Sequence, residues 1–413
     1  MTADTAFALP ADWSAPLAWD LSGLPRALRL MLALARRIRR GRLVIVVPDG
    51  RRYTAEGPEP GRTAVLLVRH PRLARRLLVG GATGFAESYV DGDWDSPDPA
   101  ELMTLALENE AAIGSTLDGS RWYRAAGRIL HALRRNSRTG SRRNIRRHYD
   151  LGNRFYAAWL DPGMTYSSAV FATPGQDLAA AQEEKFRRLA ALLDLRPGMR
   201  VLEIGCGWGA LARHLAAEHG CRVTAVTISP AQHAHAVAAA QAAGLADRVD
   251  TRLTDYRDVG GTFDRIVSVE MIEAVGERYW PVFFGRLADR LAPHGAAVLQ
   301  AITIDERFFD TYRRSADFIQ RHVFPGGMLP SRTVIRQQAA RAGLAVAADH
   351  GYGPHYARTL ELWKARFGAA WPEIAGMGFD ARFRRLWDMY LDYCRAGFTA
   401  GTIDVRHVRL ARA

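Results

Sequence analysis

The stretch VLEIGCGWG, residues 201–209, decides the fold of this chain. An apolar strand runs without a polar break into glycines at positions 205, 207 and 209, and Glu203 precedes them. Glycine has no Cβ, so the backbone at these positions can turn sharply and approach a ligand. Dinucleotide-binding folds favour G-x-G-x-x-G beside a pyrophosphate. The spacing G-x-G-x-G after an acidic residue favours a cationic ligand, such as the amino-acid end of S-adenosylmethionine, over a structural turn without a ligand.

Helices and strands alternate on both sides of this stretch. The helical segment EEKFRRLAALLDL precedes it, and the candidate strands RVTAVTI, VDTRL, FDRIVSV and AAVLQAITI follow it with helices between them. This alternation predicts right-handed crossovers and a mainly parallel sheet with helices on both faces. Ligands of such sheets bind at the carboxyl ends of the strands. At the end of the second strand, Thr227, Ser229 and Gln232 are candidates to bond a ribose, although this segment is also typical of a helix N-cap.

The residues before this region predict a smaller unit. Short strands and a helix are expected between residues 20 and 115, with a further helix capped near Asp98. We therefore expect a small α+β N-terminal domain over 1–118, a basic linker over 119–147 and a larger α/β domain over 148–413.

The net charge of +13 and the isoelectric point of about 10.1 predict attraction to an anionic surface, either nucleic acid or membrane. Ten arginines and no acidic residue lie between Asp118 and Asp150. A second basic cluster lies on the candidate helix LPRALRLMLALARRIRR, whose apolar and arginine residues fall on opposite faces at 100° per residue. Such a helix either lies on an anionic bilayer or packs its apolar face on its own domain.

Other features restrict the class of protein. The sequence has no apolar run of the length that a membrane span requires and no basic segment followed by an apolar stretch at its start, so we expect neither a membrane span nor a signal peptide. Three cysteines are too few and too scattered for a disulfide framework or a zinc site, which indicates a reducing cytoplasm.

Several motifs occur in order along the chain and together resemble one family. They are HYDLGNRFY (148–156), MTYSSAVF (164–171), VLEIGCGWG, VTISPAQ, DYRD (255–258), FDRIVSVEMIEAVG (263–276), FIQRHVFPGGMLPS (318–331) and YCRAGF (393–398). The series resembles the cyclopropane-fatty-acyl-phospholipid synthases and the related mycolic-acid methyltransferases. The resemblance covers residues 140 to 413, and residues 20 to 115 also look like the small N-terminal domain of the bacterial synthases.

The resemblance implies a class I, Rossmann-like methyltransferase fold with a mainly parallel seven-stranded sheet and helical lipid-binding insertions. It implies transfer of a methyl group from S-adenosylmethionine to the double bond of an acyl chain in a membrane phospholipid, giving a cyclopropane fatty acid. A fatty-acid methyltransferase that forms methyl- or methylene-branched chains is the alternative. The implied location is the cytoplasm, with peripheral attachment to the anionic inner face of the membrane. The oligomeric state is left open, with a homodimer as one candidate.

The resemblance and the glycine motif together give a set of candidate site residues. The expected cofactor contacts are Tyr166, Ser167, Glu203, Gly205, Cys206, Gly207, Trp208, Gly209, Thr227, Ser229, Gln232, Asp255 and Tyr256. The expected catalytic residues are Ser168, Glu273, Gln300, Ile302, Tyr356 and Cys394. No metal site is expected.

In the family, a bound bicarbonate removes a proton from the transferred methyl group. The resemblance assigns this anion to Glu273, Tyr356 and the backbone near Ser168 and Ile302. Two positions depart from the family pattern, because Ser168 replaces a cysteine and Gln300 replaces a histidine. An amide can bond bicarbonate but never becomes cationic, so the affinity for the anion or the choice of product is expected to differ.

Two functions from other classes compete with this interpretation. The charge favours a nucleic-acid methyltransferase, but the sequence carries neither an NPPY-like motif for a flipped base nor an RNA-binding module. A lipid-binding protein without enzyme activity would have no use for the glycines beside Glu203.

Overall fold

The computed structural model describes residues 19–113 and 151–413. The first of these ranges forms a small unit with a four-stranded sheet. Its strands are β1 (Arg40–Val46), β2 (Arg52–Glu56), β3 (Glu59–Val68) and β4 (Trp94–Asp95), in the order β2-β1-β3-β4. Its helices are α1 (Arg26–Ala35), α2 (Arg72–Val90), α3 (Pro99–Glu108) and α4 (Glu110–Ile113). Asp98 caps α3 as expected, since its carboxylate accepts a hydrogen bond from the backbone N of Glu101 at 3.1 Å.

The second range forms a larger unit around a seven-stranded sheet. Its strands are β5 (Arg200–Ile204), β6 (Arg222–Thr227), β7 (Val249–Leu253), β8 (Phe263–Val269), β9 (Leu291–Ile304), β10 (Leu344–Gly351) and β11 (Ile403–Arg412). Their order is β10-β11-β9-β8-β5-β6-β7. The pairs from β9 to β7 are parallel, whereas β11 is antiparallel to both of its neighbours. The predicted seven-stranded, mainly parallel sheet is therefore confirmed.

Helices cover both faces of this sheet and extend beyond it. They are α5 (Asn153–Ala157), α6 (Leu178–Leu193), α7 (Ala210–His219), α8 (Pro230–Ala242), α9 (Ile272–Val275), α10 (Trp280–Arg290), α11 (Glu306–Tyr312), α12 (Phe318–His322), α13 (Arg332–Arg341), α14 (Gly353–Gly376) and α15 (Ala381–Thr399). Strand β5 is buried from Val201 to Ile204 because helices pack on both of its faces, which explains its unbroken apolar character. The carboxyl ends of β5, β6 and β8 meet at one edge of the sheet, where a ligand is expected.

The small unit packs against the long helix α15 of the larger one. Phe318, Met389 and Ala396 join the apolar core of the small unit. Polar contacts reinforce this packing, since Arg385 Nη1 lies 2.9 Å from a carboxylate oxygen of Asp95. The domain boundaries remain predictions, because the expected linker over 119–147 lies outside the described residues.

The apolar face of helix α1 packs on its own domain, which is one of the two alternatives that the sequence left open. Leu28, Met31, Leu32 and Ala35 are buried in the core of the small unit. Its arginines lie exposed on the opposite face, so the helix still presents a basic surface. Among residues 19–113 and 151–413, no helix is long and apolar enough to cross a membrane.

Candidate functional site

The loop after β5 contains glycines with two different surroundings. A Cβ at Gly205 would lie 2.8 Å from Cγ of Met271, and one at Gly209 would lie 2.9 Å from Cβ of Ala236. These two glycines therefore allow close packing. Gly207 differs, because a Cβ there would meet no atom within 4 Å, and its φ of 53° is one that L side chains rarely adopt. Of the three, Gly207 faces open space.

That space belongs to a cavity of about 790 Å³. Most of the predicted site residues lie on its wall: Tyr166, Ser167, Glu203, Gly205, Cys206, Gly207, Trp208, Thr227, Gln232, Asp255, Tyr256, Glu273, Ile302, Tyr356 and Cys394. At the other end its wall is apolar and comes from the small unit, with Met31, Ile38, Leu43, Leu66, Phe85 and Leu102. One continuous cavity therefore joins the ends of the strands to the N-terminal unit.

Four predicted residues lie behind this wall. Ser229 caps helix α8, where its hydroxyl accepts a hydrogen bond from the backbone N of Gln232, so the N-cap alternative is the correct one for this residue. Gly209 serves the packing described above. Ser168 and Gln300 are buried, and each donates a hydrogen bond to the carboxylate of Glu270, which lines the cavity. That Ser229 and Gly209 contact the cofactor stays a prediction, since neither lines the cavity.

Glu203 is a buried acid that faces the cavity. Its side chain is 3% exposed, and its Oε2 has no hydrogen-bond partner within the described part of the chain. Burial raises its pKa to about 8, against the opposing charges of Arg213 and Lys185. Desolvation disfavours the ionised form of a carboxyl, whereas a cation placed beside it favours that form. The position therefore fits the cationic amino-acid end of S-adenosylmethionine.

The ends of β6 and β7 supply further polar groups. Thr227 donates a hydrogen bond to Oε1 of Gln232 at 3.0 Å, so these two candidate ribose contacts are oriented together. Asp255 forms a paired contact with the guanidinium of Arg257, at 2.8 and 2.5 Å. Both segments lie beside the glycine loop, as their positions at the carboxyl ends of parallel strands require.

The carboxylate of Glu270 gathers three donors that the resemblance assigned to bicarbonate. Its Oε1 accepts hydrogen bonds from the backbone N of Ser168 at 2.8 Å and from Nε2 of Gln300 at 2.7 Å. Its Oε2 accepts one from the hydroxyl of Tyr356 at 2.7 Å. The bicarbonate prediction stays untested, but the observed partner of these donors is a side chain of the protein itself. Sequence reasoning missed Glu270, although an acidic residue directly after the apolar strand β8 was a usable signal.

Glu273 lies beside Glu270 at the start of the short helix α9. Its Oε1 accepts a hydrogen bond from the backbone N of Ile302, another donor that was expected to bind the anion. Its Oε2 is buried without a hydrogen-bond partner among the described residues. Burial and the neighbouring charge of Glu270 raise the pKa of Glu273 to about 8. At neutral pH this carboxyl therefore holds its proton more readily than an ordinary glutamate does.

The amide of Gln300 is oriented by a histidine. Nε2 of His407 lies 2.9 Å from Oε1 of Gln300. Burial and the nearby charge of Lys185 lower the pKa of His407 to about 3, so its ring is neutral. Because the amide oxygen only accepts hydrogen bonds, the ring nitrogen must donate to it. The amide nitrogen is then free to donate to Glu270 and to the carbonyl of Ser168.

Lys185 is a second residue that sequence reasoning missed. It is fully buried, and its Nζ donates to Oγ of Ser167 at 2.8 Å on the cavity wall. Burial lowers its pKa to about 8, against the opposing charge of Glu270. It is one of only two lysines in a chain whose other basic residues are arginines, and that rarity was the available signal.

Aromatic rings line the region between the loop and the apolar end. Tyr356 stacks on Phe398 with ring centroids 4.4 Å apart, and the hydroxyls of Tyr166 and Tyr390 lie 2.9 Å apart. Ring faces of this kind stabilise a nearby cation by roughly 1–2 kcal/mol. Cys394 lies on the same wall, and burial raises the pKa of its thiol, which favours the neutral form. The site thus combines a place for a cationic cofactor, a place for an apolar chain and carboxyl groups at the junction.

A sequence profile described as Mycolic acid cyclopropane synthetase matches residues 136–408. Tuberculostearic acid methyltransferase UfaA1 of Mycobacterium tuberculosis is 40% identical over 381 residues, covering 90% of this chain and 88% of the relative. Cyclopropane-fatty-acyl-phospholipid synthase of Escherichia coli is 36% identical over 357 residues, covering 84% of this chain and 88% of the relative.

Solved structures agree with these sequence comparisons. The cyclopropane synthase MmaA2 from Mycobacterium tuberculosis superimposes with a TM-score of 0.62 at 32% identity, covering 66% of this chain and 98% of that one. The mycolic acid cyclopropane synthase CmaA1, in complex with SAH and CTAB, gives a TM-score of 0.61 at 30% identity and covers 65% of this chain and 97% of that one. The methyltransferase fold expected from the sequence is therefore confirmed.

Proposed function

Since this chain belongs to the mycolic acid cyclopropane synthetase family of S-adenosylmethionine-dependent methyltransferases, we infer that it methylates the double bond of an unsaturated acyl chain in a membrane phospholipid. The inferred product is a cyclopropane fatty acid. The observation that carries this inference is the single cavity, in which the polar site beside Gly207 opens into an apolar region between the two units.

Different residues at the polar end of the cavity would bind different parts of the cofactor. S-adenosylmethionine supplies an electrophilic methyl group when it is bound. The carboxyl of Glu203 would receive its cationic amino-acid end, and Thr227 with Gln232 would bond its ribose. Gly207 leaves room for the ligand beside the loop. Holding the methyl in line with the double bond in a water-poor pocket accounts for much of the rate, on the order of several kcal/mol.

The apolar end supports a lipid chain as the other substrate. Its wall comes from the N-terminal unit and from α15, and it has room for a flexible hydrocarbon. Helix α1 and the segment after it contribute to this wall directly, since Met31 and Ile38 line the cavity while the arginines of the same region face outward. A basic outer face beside an apolar opening would hold the protein on the anionic inner surface of a membrane, where acyl chains are within reach.

A second product class is favoured by a specific observation. The relative that is 40% identical over 90% of this chain is named for tuberculostearic acid, not for a cyclopropane product. Gln300, which replaces the histidine of the cyclopropane-forming relatives, contacts the carboxylate at the junction of the cavity. A methyl- or methylene-branched chain is therefore the alternative to the ring.

Lipids of cells that express the chain test this function. Fatty acids released from their membranes are expected to gain one CH₂ in mass, and NMR of the isolated product separates a ring from a methylene or methyl branch. Cells that express Gly207→Val, in which a branched side chain enters the cofactor space, serve as the control. Unchanged fatty acids in cells that contain the folded wild-type protein would contradict the function.

A further inference from the structure

On the basis of the proposed function, we propose that Glu270 is the base that removes a proton from the transferred methyl group. Its carboxylate replaces the separately bound anion that the resemblance implied. The protein would then carry its own base and need no bicarbonate.

The geometry around the carboxylate of Glu270 suits a base. Three donors from separate parts of the chain converge on it, namely the backbone N of Ser168, the amide of Gln300 and the hydroxyl of Tyr356. Oε1 accepts two of these hydrogen bonds and Oε2 accepts one. Because a carboxylate oxygen has two lone pairs, Oε2 keeps one that is not used by these donors. Glu270 lies on the cavity wall, so this lone pair is available to a proton from the substrate.

The backbone at residue 270 is also unusual. Glu270 has φ 47°, in the left-handed region that side chains other than glycine seldom adopt. Its backbone N donates to the carbonyl of Gln300 at 2.7 Å, which holds it at the end of β8. Strained positions of this kind cluster at active sites. At residue 270 the strain coincides with a carboxylate that lines the cavity and accepts three hydrogen bonds.

The chemistry needs a base at this place. As the methyl moves to the alkene, the carbon–sulfur bond breaks with its electron pair left on sulfur, and the π pair forms the new carbon–carbon bond. The other alkene carbon becomes a cation. Glu270 then takes a proton from the new methyl, and the released pair closes the ring, leaving a neutral glutamic acid and an acyl chain without charge. If a hydride first shifts to the cation, loss of the same proton gives a methylene branch.

The neighbouring carboxyl is less suited to this task. Glu273 makes its contact with the backbone N of Ile302 and sits beside the charge of Glu270. With a pKa raised to about 8 by burial and by that charge, it is mostly protonated at neutral pH. Burial also raises the pKa of Glu270, but Tyr356, Ser168 and Gln300 oppose that rise by bonding the ionised form. Two adjacent carboxyls with different environments divide into an acid and a base.

Two variants at the same residue test the assignment. Glu270→Gln keeps the shape, but its amide nitrogen donates where a carboxylate oxygen accepted, and it cannot take up the proton. Glu270→Gly suits the backbone at φ 47° and opens a space beside the same donors, in which bicarbonate has the same planar arrangement of oxygens as the lost carboxylate. Each purified full-length protein is assayed on vesicles of dioleoylphosphatidylglycerol, in CO₂-free buffer and with added bicarbonate, and calorimetry measures the affinity for S-adenosylmethionine.

The wild type is expected to turn over equally in both buffers. Glu270→Gln should lose activity by about 10²-fold or more, the typical contribution of one acid–base group, and bicarbonate should not restore it. Glu270→Gly should lose activity in CO₂-free buffer and regain at least tenfold with bicarbonate. All three proteins should bind the cofactor alike, and a CD₃ group on the cofactor should leave two deuterium atoms in the product.

Two results would overturn the role of Glu270 but leave the proposed function standing. They are a wild type that methylates lipid only when bicarbonate is present, and a Glu270→Gln variant with full turnover. A wild type that binds the cofactor yet methylates no lipid in either buffer would contradict the proposed function, and with it this inference. The two failures are thereby distinguished.

Discussion

At the scale of single residues, the proposed cofactor site depends on two features: a glycine that leaves space for a ligand, and a buried carboxyl group that can pair with a positively charged one. Gly207 leaves open space at the end of β5, and Glu203 presents a buried carboxyl oxygen to the same space. A ligand with positive charge satisfies both features. Each of the two residues gives a prediction that depends on binding alone and not on the later chemical steps.

Gly207→Val is expected to abolish binding of S-adenosylmethionine, because the branched side chain would occupy the space that the loop leaves open. Isothermal titration calorimetry measures the loss. Gly198→Val is the matched control: Gly198 also has a positive φ and open space around it, but it is an exposed residue in the turn before β5. If the folded Gly207→Val protein bound the cofactor as tightly as the control does, the cofactor would have to lie elsewhere.

The affinity for S-adenosylmethionine should depend on the ionisation of Glu203. Its pKa of about 8 in the free protein is expected to fall when a cation binds beside it, so binding releases a proton. Affinity should therefore rise with pH up to about 8, by at most about tenfold per pH unit, and then level off.

In Glu203→Gln this rise should disappear, whereas any titration of the ligand itself is shared by both proteins. The difference between the two pH profiles therefore reports Glu203. Proton release is measured by calorimetry in buffers of different ionisation enthalpy. Identical profiles for the two proteins would show that Glu203 does not contact the cationic part of the ligand.

The sequence predicted residues of this site unevenly. The place of the glycines and Glu203 beside the cavity was predictable, because a strand that ends in several glycines is typical of a loop that approaches a ligand. The contacts of Gln300 were not, since the residue assigned to replace a histidine turned out to bond Glu270 and His407, which lie 30 and 107 positions away. A motif gives the type of a residue and its neighbours in sequence, but a hydrogen bond between distant segments depends on how the strands pack.

At the scale of elements, most strands of the parallel part of the sheet were predictable from their apolar runs, whereas VDTRL of β7 was predicted from its place in the alternation of strands and helices. Strands β10 and β11 were not placed individually, because LAVAADHG and IDVRHVRLAR mix apolar with charged residues. Their antiparallel pairing, with β10 at the edge of the sheet and β11 next to it, permits this mixture, since one face of antiparallel strands is often less buried. Helix α1 was predicted, but only the structure decided between its two packing alternatives.

Helix α1 gives the prediction at this scale. Changing the exposed arginines Arg26 and Arg29 of α1 and Arg37 just after it to glutamine should weaken binding to anionic vesicles by about tenfold to a hundredfold at low salt, since each arginine near such a surface contributes about 1 kcal/mol. The effect should shrink as salt screens the charges. Vesicle sedimentation measures the binding.

A triple variant with the same change in charge provides the control. Arg196, Arg222 and Arg341 are also exposed but lie in the larger unit, away from α1. Their change to glutamine should have a smaller effect on the same vesicles. Equal losses for both triple variants would mean that total charge, and not the face of α1, governs the attachment.

At the scale of the whole molecule, the cavity lies between two units that the sequence predicted separately. The glycine loop belongs to the larger unit, whereas Met31, Leu66 and Phe85 of the small unit form the apolar end of the same cavity. The sequence indicated a small N-terminal domain but gave no sign that it lines the site. That arrangement arises because the core of the small unit extends onto Phe318, Met389 and Ala396.

The most direct test of the account uses the purified protein with S-adenosylmethionine carrying a ¹³C-labelled methyl group and vesicles of dioleoylphosphatidylglycerol. Mass spectrometry of the released acyl chains is expected to show the gain of one labelled CH₂ for each S-adenosylhomocysteine formed, with the label in the chain and none in the headgroup. Acyl chains that stay unlabelled while the protein binds the cofactor, or a label confined to the headgroup, would contradict the claim that this enzyme methylates the double bond of a lipid.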